Sequence, residues 1–118
     1  MDFKTIPDFN VILAQRGLTP EAFDKSTEGD TVDEKAHKKI KLMAAVANGD
    51  RTEKAIWYPW FWINEDAPSP SGSGLSFDVA GCDDSYAHVA SRHKFIDRAD
   101  AIHAGQTFLT EYEEYYLG

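Results

Sequence analysis

Cysteine is nearly missing from this sequence: Cys82 stands alone among 118 residues, so no disulfide can close within the chain. A domain that folds without disulfides suits a reducing compartment, and a cytoplasmic location is expected. The N-terminus, Met1-Asp2-Phe3-Lys4-Thr5, has no basic stretch leading into an apolar run, so no secretory signal is expected. No run approaches the roughly 18 consecutive apolar residues of a membrane-spanning helix, and no membrane association is expected. Positive charge is also missing over a long stretch: residues 55–91 hold five acids and neither Lys nor Arg.

What is present suits one folded domain over residues 1–118. The chain is 42% hydrophobic and 13% aromatic, enough large side chains to build a core without covalent staples. Net charge is −8, a field that repels nucleic acid and anionic lipid over most of the surface. The exception is residues 35–54, with six bases against two acids.

Helix signals fill the N-terminal half. Asp8 can cap a first helix carrying Phe9, Ile12 and Leu13 on one face, with Gly17 past its end. Thr19 and Pro20 open a second, short helix, with Leu18 and Phe23 at hydrophobic-staple positions. Thr31-Val32-Asp33-Glu34 has capping-box spacing, and Ala36, Ile40, Met43, Ala44 and Ala47 then recur at helical spacing. Glu34 and Lys38 stand four apart as a favourable pair, and Asn48-Gly49 is the stop.

The middle changes period. Residues 56–63, Ile-Trp-Tyr-Pro-Trp-Phe-Trp-Ile, read as a strand that Pro59 places at an edge or a bulge. A Pro-, Ser- and Gly-rich loop, residues 64–74, precedes a strand in which Leu75, Phe77 and Val79 alternate with polar residues. A turn over residues 81–85 leads to a third strand from Tyr86 to about Phe95. Asp97 then caps one final helix with Ala101, Ile102, Phe108, Leu109, Tyr112 and Tyr116 towards the core. The expected fold is α+β: a three-stranded antiparallel meander packed against N-terminal helices and a C-terminal helix.

Several constellations bear on function. Trp57, Tyr58, Trp60 and Trp62 can stack on a partner's side chain, a sugar or a base, or form core; without flanking Lys or Arg, base stacking lacks electrostatic support. Cys82, Asp83, Asp84 and His88 are ligand-type residues without metal-site spacing, and no cofactor is expected. Ser85, Ser91, Cys82, His88, His93 and Asp84 supply the atoms of a small hydrolase but no nucleophile-elbow motif. Asp78 and Arg92 can pair across neighbouring strands. Gly72-Ser73-Gly74 precedes a strand and lacks a following Lys, so a hairpin loop explains it better than a phosphate cradle. The stretch Lys35, Lys38, Lys39 and Lys41 can sit on phosphate, although such a stripe is more often a solvated face.

Tyr58-Pro59-Trp60-Phe61, then Gly72-Ser73-Gly74-Leu75-Ser76-Phe77, then Ser91-Arg92 with Phe95, form an order that resembles small uncharacterised proteins of prophages and mobile elements in gut Bacteroidetes. The resemblance covers residues 35–118. His93 and Lys94 depart from it, standing where an apolar pair is expected. It implies a phage-associated accessory protein and brings no catalytic residues. The expected function is therefore non-catalytic protein–protein binding, as a monomer or homodimer, through Tyr58, Trp60, Trp62 and Arg92. One variant is an acidic decoy using Asp83 and Asp84. The alternatives are the Ser/His/Asp hydrolase near the third strand and a nucleic-acid binder using the Lys35–Lys41 helix.

Overall fold

Each helix of the N-terminal half begins where a side chain accepts a hydrogen bond from the free amides of the first turn. The computed structural model describes residues 2–63, 75–82 and 93–117, and does not describe the side chains of Trp62, Ile63, Leu75, Ser76, Val79 and Cys82. The Asp8 carboxylate accepts from the Val11 N–H at 3.1 Å and opens α1 (Phe9–Gln15). The Thr19 hydroxyl accepts from the Ala22 N–H at 3.1 Å and opens α2 (Pro20–Ser26). Thr31 and Glu34 close a reciprocal capping box at the start of α3 (Val32–Asn48). Glu34 is thereby drawn back to Thr31, and Lys38 pairs with Asp30 at 2.6 Å instead of with Glu34. Ala36, Ile40, Met43 and Ala44 form the buried stripe of α3.

Strands β1 (Trp57–Ile63) and β2 (Leu75–Cys82) pair antiparallel, from Trp57 opposite Cys82 to Ile63 opposite Leu75. The register shifts between Trp60 and Phe61, because Val79 stands opposite Trp60 while Phe77 stands opposite Phe61. Asp78 is the extra residue, exposed at a β-bulge. The sequence alternation places Phe77 and Val79 on one face; the register shift falls between these two positions and sets Phe77 against Phe61, ring centroids 6.1 Å apart.

The expected third strand, Tyr86 to Phe95, lies outside the described residues up to Arg92. Its end is described: Phe95 exchanges two backbone hydrogen bonds with Trp57, at 3.0 and 2.7 Å. Both polar groups of Trp57 point to Phe95, so this contact lies on the edge of β1 opposite β2. The third antiparallel segment thus joins beside β1. By the same alternation the nitrogen of Pro59 faces that edge, so the β1–β2 ladder loses no donor there.

The C-terminal helical segment is bent into two, α4 (Arg98–Thr107) and α5 (Leu109–Leu117). Asp97 occupies the N-cap position of α4 but makes no cap hydrogen bond, because its carboxylate accepts from Arg51 at 2.7 Å. The chain turns at Phe108, which is 1% exposed. Gly105 and Thr107 are weak helix formers just before the turn, and burying Phe108 at the corner sends α4 across the sheet and α5 along α3. The 3₁₀ turn Phe3–Thr5 fills the remaining space: the Phe3 ring packs on Phe95, His103 and Phe108, with centroids 5.3–6.1 Å apart.

Two substitutions test this packing. A Cβ at buried Gly105 would meet the Phe77 ring and lie 2.8 Å from Pro59 Cβ, so Gly105→Ala is expected to destabilise by about 2 kcal/mol despite the better helix propensity of Ala. Asn48→Ala, which removes both side-chain hydrogen bonds to Lys94 and Ile96, is expected to cost about 2 kcal/mol. Urea unfolding midpoints measure both, and unchanged midpoints would show that these contacts carry no stability.

Candidate interaction surface

The aromatic strand divides its rings between two faces, as strand alternation requires. On the inner face, Trp57 and Phe61 join the core and Pro59 is buried against α4. Phe61 packs on Tyr112 of α5, ring centroids 4.9 Å apart. The guanidinium of Arg98 lies 5.9 Å from the centroid of Trp57. Burial pushes the Tyr112 hydroxyl well above the ordinary phenol range.

On the outer face stand Tyr58 and Trp60, with ring centroids 6.5 Å apart. The Tyr58 ring lies over its cross-strand partner Gly81, so close that a Cβ there would be 3.0 Å from it. A glycine opposite an aromatic ring lets that ring cover the strand backbone, which anchors Tyr58. Trp60 has no such cover and is 50% exposed. Of the expected binding residues, Tyr58 and Trp60 are therefore brought together. Trp62 follows by register opposite Ser76, and Arg92 lies outside the described residues.

Three of the four lysines of the stripe pair with acids of the same chain. Lys35 pairs with Asp24 at 2.9 Å, Lys38 with Asp30 at 2.6 Å and Lys39 with Glu114 at 3.1 Å. A phosphate would have to displace these carboxylates, which weighs against nucleic-acid contact there. The alternation of acids and lysines between neighbouring helices was not visible from spacing along one helix.

Of the atoms named for a hydrolase or a metal site, Asp83, Asp84, Ser85, His88 and Ser91 lie outside the described residues, as does Gly72–Gly74. His93 is described, and it packs into the helices. Its ring stands 4.4 Å from that of His37 on α3 and 5.2 Å from that of Tyr115 on α5. Its Nε2 is buried and has no hydrogen-bond partner among the described residues. Lys94 beside it is 5% exposed, so the two residues that interrupt the apolar pattern nevertheless occupy packed positions. No group of three or more metal-ligand side chains occurs among the described residues. No described helix is long and apolar enough to cross a membrane.

Burial, with His37 and Lys41 nearby, lowers the His93 imidazole from its ordinary 6.5 to about 4. His93 is then neutral in both folded and unfolded chains above pH 6.5. Between 6.5 and 4 the unfolded chain takes up the proton first, and its contribution to stability is lost as pH falls. Replacing it by His93→Phe keeps a ring without a buried polar nitrogen. The variant is expected to match the parent chain at pH 7.5 and to gain on it steadily from pH 6.5 to 4 in thermal melts; parallel curves would show that His93 does not titrate in this range.

No protein-family model, no curated protein and no solved structure matches the chain.

Proposed function

We propose that the protein is a non-catalytic binding module that docks a partner protein on the outer face of its β-hairpin. The observation that carries this reading is Trp60, half exposed on a paired strand beside the anchored ring of Tyr58. A large aromatic side chain held on a rigid strand and left in water is the kind of residue that contributes most to protein interfaces, since it loses little entropy on docking. The partner's chemistry follows from charge: residues 55–91 carry five acids and no Lys or Arg, so the matching surface presents apolar groups with a basic rim. The phage-associated setting implied by the resemblance belongs to the same proposal.

Trp60→Ser tests it directly. Tagged parent and variant chains are exposed to host lysate, and the affinity of any stoichiometric partner is then measured with purified components. The substitution is expected to leave circular dichroism and the melting temperature nearly unchanged and to weaken the partner by about thirtyfold. Equal affinity for both chains would overturn the assignment of this face, and a collapse of folding would show that the ring is structural.

A further inference from the structure

Two imidazoles meet where the segment that enters the sheet passes the helices. The ring of His93, two residues before Phe95, stands 4.4 Å from that of His37 on α3. The Tyr115 ring of α5 lies 5.2 Å from His93 and 6.1 Å from His37. The His93 Nε2 is buried and has no hydrogen-bond partner among the described residues. Such an atom left unpaired costs about 1–3 kcal/mol, which a ligand that pairs with it recovers. Lys41 stands one turn beyond His37 on the same face of α3 and is exposed. Lys35, Lys38 and Lys39 are ion-paired, whereas Lys41 makes no ion pair or hydrogen bond among the described residues.

The charges that act on this cluster have one sign. His37 and Lys41 add to burial in opposing protonation of His93, and no carboxylate favours it. The acids closest along the helices are engaged elsewhere. Asp33 and Glu34 accept from the Thr31 hydroxyl at the start of α3, and Glu114 pairs with Lys39. Tyr115 brings a phenol from α5, not an acid. A metal ion on the two imidazoles would be repelled by Lys41. An anion is attracted by Lys41, accepts from ring N–H groups and displaces no carboxylate. His93 as a whole is half-buried, and its ring torsion is broad, so a modest turn presents a nitrogen to a ligand at the rim.

We propose that Lys41, His37 and His93 form a site for one small oxyanion, inorganic phosphate or the phosphate group of a monoester, with Lys41 supplying the charge and the imidazoles the N–H donors. This site is separate from the hairpin face and does not rest on the binding-module reading.

Imidazole and backbone-amide chemical shifts of the full chain, titrated with inorganic phosphate at pH 6.5, test it, with ionic strength held constant by sodium chloride. Saturable shifts at His37, His93 and the amides around Lys41 are expected, half-complete near about 1 mM. Lys41→Gln changes an exposed side chain and should weaken phosphate about tenfold. Lys38→Gln removes a lysine that is ion-paired and should leave phosphate binding unchanged. Sulfate, whose own charge is constant over the titration, is expected to raise the midpoint at which His93 takes up its proton, since a bound anion favours the imidazolium. The proposal is overturned by shifts that stay linear up to about 20 mM, by an equal effect of chloride, by equal weakening in Lys38→Gln and Lys41→Gln, or by imidazole shifts that respond to zinc and not to phosphate.

Discussion

Phe95 is bonded on both sides, and the rest of the structure converges on that arrangement. On one side its N–H and C=O bond to Trp57 of β1. On the other, the Asn48 side chain donates to the Lys94 carbonyl at 3.0 Å and accepts from the Ile96 N–H at 2.9 Å. A primary amide offers the same donor and acceptor as a peptide unit, so Asn48 stands in for one residue of a neighbouring strand and satisfies an edge that would otherwise be open. The last turn of α3 is thereby fixed beside the sheet. Arg51 extends the junction, donating to the Ala47 and Asn48 carbonyls of α3 and pairing with Asp97 and Asp100 of α4. The Phe95 ring, 0% exposed, receives Phe3 from the N-terminus. Helices α3 and α4, strand β1 and the N-terminal turn are thus joined through a few residues.

Legibility of the sequence follows from the range of the interaction. Caps act over three or four residues, and Asp8, Thr19 and the Thr31–Glu34 box open their helices where local chemistry places them. Asn48 shows the limit of such reading. As Asn-Gly at a helix end it signals a stop, and it does stop α3, with Gly49 at φ 58°. Its amide, however, reaches residues 46 and 48 positions away, which no local pattern contains. The bulge at Asp78 is similar: an uninterrupted polar–apolar alternation conceals one residue that the partner strand does not match. The break at Phe108 depends on α3 being there to receive α5.

The candidate sites divide the same way. Trp60 and Tyr58 were legible as strand aromatics without nearby bases, and only the pairing with Gly81 shows which of the rings is anchored and which is left in water. The imidazole pair was not legible at all. His37 and His93 come together across 55 intervening residues, and each of them alone reads as an ordinary core or surface residue.

Electrostatics differs between the two candidate sites. The chain carries −8, yet three lysines of α3, Lys35, Lys38 and Lys39, are paired with Asp24, Asp30 and Glu114 on neighbouring elements, so the helical half presents charges of both signs at short range. Such alternation cancels beyond a Debye length of roughly 8–10 Å. Residues 55–91 carry five acids and neither Lys nor Arg, so that stretch has no alternation of sign within itself. The core tolerates both because they rest on separate supports. The imidazole pair is built on α3, α5 and the segment that enters Phe95, and the hairpin face on β1 and β2 backed by α4. Tyr112 connects them, buried against Phe61 from the helix that also carries Tyr115.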